Sequence, residues 1–237
     1  MVNQFSRTQL LIGEEKMKLL HNSRVAVLGV GGVGGFVVEA LVRSGIEHID
    51  IIDNDRVSLT NINRQIIATH KSVGKYKVDV MKERILDINP NCEVNTYQKF
   101  FLPENEDEFP FESWDYVVDA IDTVTGKIGI ICKCNKLNIP VISSMGAGNK
   151  MNPQGFKVAD IYKTREDPLA KVLRHELKKR GIKKLKVVYS EEKPLTPVEP
   201  SYEILPTGRR SIPGSNAFVP SSCGLLIASE VIKDLIK

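Results

Sequence analysis

Seven residues constrain this chain more than any others: Gly29-Val30-Gly31-Gly32-Val33-Gly34-Gly35, lodged between the β-branched run Arg24 to Leu28 and an apolar set at helical spacing, Val37, Val38, Ala40, Leu41 and Val42. A strand that turns on glycines directly into a helix opens a βαβ unit. The absent side chains let backbone come close to a ligand, and the first N–H groups of the helix offer a positive end to a phosphate. Gly45 closes the helix, and Ile46 to Ile52 reads as a second strand that ends at Asp53. The crossover between them is expected to be right-handed, which makes the strands parallel.

The rest of the chain continues the alternation. Gly74 to Ile88 reads as a helix stopped by Asn89-Pro90, Cys92 to Tyr97 as a strand, and Trp114 to Asp119 as a strand with the apolar density of a buried parallel sheet. Val124 to Leu137 fits a helix, Pro140 to Ser144 a strand, and Gly146-Ala147-Gly148 a tight crossing where side chains would obstruct. From Phe156 through Ile161-Tyr162 a further strand is expected. A helix from Asp167 to Arg180 comes next, with Leu169, Val172, Leu173 and Leu177 on one stripe and Lys171, Arg174 and Lys178 turned away. A leading amphipathic helix over Arg7 to Leu20 and a closing apolar helix over Ser221 to Leu235 complete the pattern. Six prolines between Lys193 and Pro220 predict a long irregular loop. The fold class is therefore α/β: a Rossmann-like doubly wound, mostly parallel sheet with helices on both faces and a C-terminal extension.

Composition removes other classes. At 237 residues, with 42% hydrophobic and 26% charged, the chain is neither collagen-like nor disordered. Its four cysteines are too few and too irregularly spaced for a disulfide framework, and Cys132-Lys133-Cys134 lacks the second pair that a closed zinc site needs. No run approaches the roughly 18 apolar residues of a membrane helix, and no basic-then-apolar leader opens the chain, so a cytoplasmic protein is expected. The net charge of +4 is uneven. Ten Lys and Arg against three acids between Lys163 and Lys186 give that stretch +7 and leave −3 for the remainder. Clustered cations suit a polyanion such as RNA, and equally suit a solvated helix face.

Asp53 stands nineteen residues past Gly34, where a carboxylate can accept ribose hydroxyls. Alone, the pair would suit a dinucleotide. The residues beyond Asp53 change that reading: Asp53-Asn54-Asp55-Arg56-Val57 runs into Thr60-Asn61-Ile62-Asn63-Arg64-Gln65, and Lys77 stands thirteen residues past Arg64. Two cations and an amide converging on a phosphate chain can neutralise charge that develops when a carboxylate attacks phosphorus. Arg64 and Lys77 could otherwise be ion-pair partners. Asp122, just past a strand end, could hold a magnesium ion that bridges phosphates, or could cap the helix beginning near Val124. Cys223 lies before an apolar helix, whose N-terminus could lower a thiol pKa, though packing is the commoner role. Tyr162, Tyr189 and Tyr202 could stack a base; packing is again expected.

At these residues the sequence resembles the ThiF/MoeB/HesA superfamily, the adenylating domain shared with ubiquitin-activating enzymes. The glycine motif, Asp-Asn-Asp-x-Val, Asn-Ile-Asn-Arg-Gln, the later lysine and Val-Asp-Ala-Ile-Asp occur in the family's order. The resemblance implies a single adenylating domain over 1–237, with a nucleotide-binding core over 1–150 and a part for substrate binding and dimerisation over 151–237. It implies ATP held by Gly29, Gly31, Gly32, Gly34, Asp53, Asp55, Asn61, Arg64 and Lys77, with Mg2+ on Asp122. Catalysis would fall to Arg64, Lys77, Asp122 and Arg7, the last supplied from the second subunit of a homodimer.

Ser143-Ser144-Met145-Gly146-Ala147-Gly148, Asp160-Ile161-Tyr162-Lys163-Thr164, Asp167-Pro168-Leu169-Ala170-Lys171 and Val187-Val188-Tyr189-Ser190 are similar to the tRNA threonylcarbamoyladenosine dehydratase branch. That branch implies a tRNA carrying threonylcarbamoyladenosine beside its anticodon as partner and substrate, ATP-dependent cyclising dehydration as the reaction, and Lys171, Arg174, Lys178, Lys179 and Arg180 as RNA contacts. A sulfur-transfer partner protein stays open. The alternative is an adenylyltransferase acting on the Gly-Gly tail of a ubiquitin-like sulfur carrier, against which the missing zinc pairs and the basic block argue.

Overall fold

In the computed structural model of the chain, residues 2–198 and 213–237 are described. The elements run α1 (Ser6–Ile12), α2 (Glu14–Asn22), β1 (Arg24–Leu28), α3 (Gly34–Ser44), β2 (His48–Ile52), α4 (Lys77–Ile88), β3 (Glu93–Tyr97) and β4 (Tyr116–Asp119). They continue with α5 (Val124–Leu137), β5 (Val141–Ser144), β6 (Phe156–Asp160), α6 (Pro168–Lys179), β7 (Lys186–Ser190) and α7 (Val219–Leu235).

The strands form one sheet in the order β3-β2-β1-β4-β5-β7-β6. Every neighbouring pair is parallel except β6 with β7. The strand order reverses direction between β1 and β4, which is where open α/β sheets bind ligands at the carboxyl ends of their strands. Register brings those ends level: Leu28 pairs with Ile52 on one side and Asp119 on the other, so Gly29, Asp53 and Ala120 leave the sheet side by side.

Each face has its own packed layer, as a parallel sheet requires. Val25 and Val27 pack with Val38 and Leu41 of α3, Met81 and Ile85 of α4, and Ile227 and Val231 of α7. Ala26 and Leu28 turn the other way, onto Phe101, Phe111, Trp114 and Ile130. Further along that face, Leu173 and Leu177 of α6 pack with Ile131 and Val187. A buried ion pair fastens the sheet beneath the switch point. Lys127 Nζ of α5 lies 3.0 Å from Asp119 Oδ2 and also donates to the Ser144 carbonyl (2.8 Å), with side-chain exposures of 1% and 0% for the pair.

Several expectations need correction. The leading helix is two helices, broken at Gly13, and Leu10 and Leu11 of the first are 86% and 85% exposed. Ile161–Lys163 is a 3-10 turn, not the end of a strand, because Asp160 accepts the Tyr162 N–H and stops the ladder. Val187 to Ser190 belongs to a strand that periodicity does not reveal, a five-residue run beside the lysine-rich block. Val172, expected on the buried stripe of α6, is 46% exposed. Of the proline-rich stretch, 193–198 and 213–218 carry no helix or strand, while Pro200, Pro206 and Tyr202 lie outside the described residues.

Candidate active site

The loops leaving β1, β2 and β4 open into a cleft of about 840 Å³. Its lining includes Gly29, Gly31, Gly32, Asp53, Asp55, Asn61, Arg64, Lys77 and Asp122, so nine sequence-predicted residues meet in one space. Gly34 does not line it. Instead it lets α3 begin: a Cβ there would lie 1.8 Å from the Gly29 carbonyl oxygen, a contact no side chain survives. Gly29 itself has φ +91°, and a Cβ on it would sit 2.7 Å from the Ala120 carbonyl oxygen. These two positions fold the turn tightly enough to bring the following amides to the cleft. The N–H groups of Gly31, Gly32 and Val33 have no acceptor among the described residues, whereas Gly29 and Val30 spend theirs on the Ile52 carbonyl and Asp53.

Asp53 is oriented chiefly by backbone amides. Its two oxygens accept the Val30 N–H (2.7 Å) and the Asp55 N–H (2.9 Å), and each retains a further lone pair. Burial raises its pKa above the ordinary carboxylate value, with Lys77 acting in the opposite direction. Lys77, at the first turn of α4 and 6% exposed, places Nζ 2.7 Å from Asp55 Oδ2 and 3.7 Å from Asp53 Oδ1. Arg64 is half-buried, and burial lowers its pKa from the usual guanidinium value. Its Nη1 donates to the Thr60 carbonyl (2.8 Å) and Asn63 Oδ1 (2.9 Å), and the residue lines the cleft. The ion-pair reading thus holds for Lys77 toward Asp55, while Arg64 has no acid partner among the described residues.

The chemistry of the lining fits a nucleoside triphosphate. Amide donors and the cations of Arg64 and Lys77 line one space with the Asp53 carboxylate, and Gln65 Oε1 and Thr123 Oγ1 are buried there without a hydrogen-bond partner. For a magnesium ion the fit is narrower. No group of three metal-ligating side chains exists among the described residues, but magnesium on a nucleotide takes one or two carboxylates and fills its sphere with phosphate oxygens and water. Asp122 lines the cleft and is a carboxylate that could serve as such a ligand. It is not the cap of α5, which belongs to Thr123.

Other predicted residues fall elsewhere. Arg7 is exposed on α1 and does not line the cleft. The five basic residues lie on and just past α6, whose Leu169 does reach the cleft. Only part of that block is free to meet a partner. Arg174 turns back to the carbonyl and hydroxyl of Thr164, so it does not face away from the protein as the helical pattern suggests. Lys179 and Arg180 pair with Glu176, and Lys171 and Lys178 are exposed with no ion pair among the described residues. Tyr162 donates to the Ile182 carbonyl and Tyr189 is 3% exposed, so neither is offered to a base. Cys223 lies inside α7, fully buried, 3.5 Å from Ser144 Oγ. Burial pushes its thiol up to about 12, the reverse of activation at a helix start.

Sequence patterns missed two walls. Phe100 and Phe101, after β3, form one side, and Pro213, Gly214 and Ser215 lean over another. Asn63 Nδ2 reaches the Ser215 carbonyl at 3.0 Å, a link across 152 residues that no local pattern announces.

Known proteins resemble this chain over most or all of its length. A tRNA threonylcarbamoyladenosine dehydratase of Bacillus subtilis (strain 168) is 48% identical over 100% of this chain and 96% of that protein. The enzyme of that name from Escherichia coli (strain K12) is 42% identical over 74% of this chain and 65% of that protein. The crystal structure of E. coli tRNA N6-threonylcarbamoyladenosine dehydratase, TcdA, in complex with ATP superposes with a TM-score of 0.88 at 35% identity, covering 98% of this chain and 93% of that one. The model of the ThiF family matches residues 5–237, and with the glycine turn, Asp53, Arg64 and Lys77 gathered in one cleft, the chain belongs to the ThiF family.

Proposed function

We propose that this chain is an ATP-dependent tRNA threonylcarbamoyladenosine dehydratase, and that its cleft activates the carboxylate of the threonyl group so that the modified base closes into a ring. The observation that carries the reading is the convergence of the glycine-turn amides, Asp53, Arg64 and Lys77 on one cleft in a chain similar over its whole length to dehydratases of that name. A carboxylate does not accept a weak internal nucleophile, because oxide would have to leave. Transfer of a phosphorus group to one carboxyl oxygen supplies the leaving group, and the neighbouring carbamoyl then attacks with the advantage of an intramolecular reaction. No enzyme nucleophile is needed, in keeping with a buried Cys223.

In this reading the amides of Gly31, Gly32 and Val33 bind phosphate, Asp53 accepts the ribose hydroxyls, and Asn61 and Gln65 flank them. Arg64 and Lys77 neutralise charge as the carboxylate approaches phosphorus. Asp122 would hold the magnesium ion, whose contribution is to shield phosphate charge. Residues 1–150 form the nucleotide-binding core and 151–237 the substrate-binding part. Lys171 and Lys178 lead the contact with tRNA, Lys179 and Arg180 add to the field, and Arg174 acts through its hold on Thr164. Arg7, with Leu10 and Leu11 exposed beside it on α1, would serve the cleft of the second subunit in a homodimer. The reaction as written needs no sulfur-transfer partner. The work on tRNA would be done in the cytoplasm; no helix among the described residues is long and apolar enough to cross a membrane. The sulfur-carrier alternative is not favoured, since the Bacillus subtilis relative matched along nearly the full length of both chains carries the dehydratase name.

The reading is tested by ATP turnover. Threonylcarbamoylated tRNA should stimulate phosphate or pyrophosphate release at least tenfold over the same tRNA lacking the modification; equal rates with the two would contradict it.

A further inference from the structure

The loop Gly146-Ala147-Gly148 borders the cleft and is bracketed by two satisfied amides. Met145 N–H donates to the Val188 carbonyl (2.8 Å) and Asn149 N–H to the Gly214 carbonyl (2.8 Å). Between them, the N–H groups of Gly146, Ala147 and Gly148 have no acceptor among the described residues, although all three residues line the cleft. Backbone donors left unpaired at a concave polar surface are a place where a ligand oxygen is expected.

One of these amides is aimed. Lys150 Nζ, on a side chain 1% exposed, donates to the Gly146 carbonyl at 2.7 Å and lies 3.3 Å from Asp167 Oδ2, itself on a side chain 0% exposed. In a planar trans peptide the carbonyl and the following N–H point in opposite directions. Drawing the Gly146 carbonyl toward the buried Lys150 therefore turns the Ala147 N–H away from the interior, to the cleft that Ala147 lines. A cation on that carbonyl also polarises the peptide, which strengthens the N–H as a donor. The same Asp167 accepts the Ala170 N–H (2.9 Å) as the cap of α6, so one buried pair sets both the loop and the start of the basic helix.

We propose that the Ala147 amide donates a hydrogen bond to the threonyl carboxyl oxygen retained in the product, with Lys150 and Asp167 as positioning residues. This rests on the dehydratase reading. Once one carboxyl oxygen carries the phosphorus group, the carbamoyl group attacks the carboxyl carbon and a new bond forms to it. The carbonyl electrons move onto the retained oxygen, which becomes an oxyanion. As they return, the bond from carbon to the phosphorylated oxygen breaks, that oxygen leaves on phosphorus, and the proton of the attacking carbamoyl goes to solvent. The water lost is thus divided between the phosphate product and a proton. The Ala147 N–H meets charge that exists mainly in the transition state, where one such donor is worth about 10² to 10³ in rate.

The test uses the full-length protein with ATP, magnesium and threonylcarbamoylated tRNA, and reads the single-turnover rate of cyclisation beside the Kd for ATP and for tRNA. Two variants remove the donor: Ala147→Pro, and a protein in which residue 147 is lactic acid, so that an ester oxygen replaces the N–H. Each should cyclise at least 100-fold more slowly, with both Kd values within threefold of the parent and an unchanged melting curve. A rate within threefold of the parent in either variant overturns the proposal, and the ester decides if the proline variant does not fold. Lys150→Met combined with Asp167→Asn removes the pair without stranding a charge. It should lower kcat at least tenfold with KM for tRNA and ATP within threefold; a lower melting temperature with kcat intact contradicts the positioning role. The parent separates the two levels: if it does not cyclise at all, the functional reading fails, and if it cyclises while the variants match it, only the amide's role fails.

Discussion

Lys77 and Asp55 meet at 2.7 Å on the rim of the nucleotide cleft, the lysine nearly buried and the carboxylate side chain 61% exposed. The pair holds an ammonium on the wall of the cleft that the glycine turn also lines, where the proposed reaction has it meet phosphate. Lys77→Met should reduce turnover by at least about 100-fold, the scale of losing one charge-stabilising donor. Arg64→Ala should abolish turnover with an unchanged far-ultraviolet spectrum. Steady-state kinetics with a thermal melt check both, and parent-like turnover in either folded variant would remove the role assigned to it.

Basic residues on α6 should separate by function. Reversal of Lys171 and Lys178 to Glu is expected to weaken tRNA binding about tenfold or more at moderate salt, flatten the salt dependence, and leave ATP affinity alone. Arg174→Ala should instead lower the melting temperature by several degrees, because it removes the clasp on Thr164. Filter binding across a salt series and calorimetry distinguish the two patterns. Unchanged tRNA affinity in the double reversal would return the helix to a solvated face.

Lys127→Met strands the Asp119 carboxylate, whose Oδ1 already lacks a partner, in the sheet beneath the cleft. Removing one member of a buried pair costs about 3–5 kcal/mol. Urea unfolding should show a loss of unfolding free energy of that size, and a loss below about 1 kcal/mol would mean the site relaxes or takes up water.

Acid should reveal a second clasp, at the far end of α7. Burial works against ionising Asp234, yet bonds from Lys186 (2.6 Å), Lys237 (2.6 Å) and Tyr116 (2.8 Å) hold its carboxyl down to about 2. A depressed carboxylate stabilises the fold above its unfolded pKa of about 3.9, and that stability disappears as pH falls through the folded value. Discounted for partial exposure, the contribution is about 1 kcal/mol. Asp234→Asn should therefore melt lower than the parent between pH 5 and pH 7, with the gap closing as pH falls from about 4 toward 2. A gap that stays constant to the acid limit would contradict the assignment.

How far the sequence spoke depended on whether a feature is local. The glycine turn, the acid at the end of β2 and the sheet's first five strands follow from periodicity and from where side chains are missing. The family's order of motifs placed Arg64, Lys77 and Asp122, and these do meet in one cleft. Contacts set by tertiary packing were not legible. Arg174 has the helical phase of an outward residue but is drawn back by Thr164, a partner outside its helix. Cys223 sits near a helix start, where a local rule lowers a thiol pKa, but its complete burial dominates and raises it. Strand β7 is hidden because it pairs inside the sheet next to a lysine-rich run. The Lys150–Asp167 pair joins residues seventeen apart and holds the carbonyl of Gly146, in a loop whose glycines signalled only tightness.

The central claim is an ATP-dependent loss of water from a modified tRNA base, and mass spectrometry of nucleosides digested from threonylcarbamoylated tRNA tests it most directly. After incubation with the protein, ATP and magnesium, the threonylcarbamoyladenosine signal should give way to a product lighter by one water, and should persist when ATP is omitted. An unchanged nucleoside mass in the presence of ATP, with ATP–pyrophosphate exchange driven by a small Gly-Gly-tailed protein instead, would contradict the account.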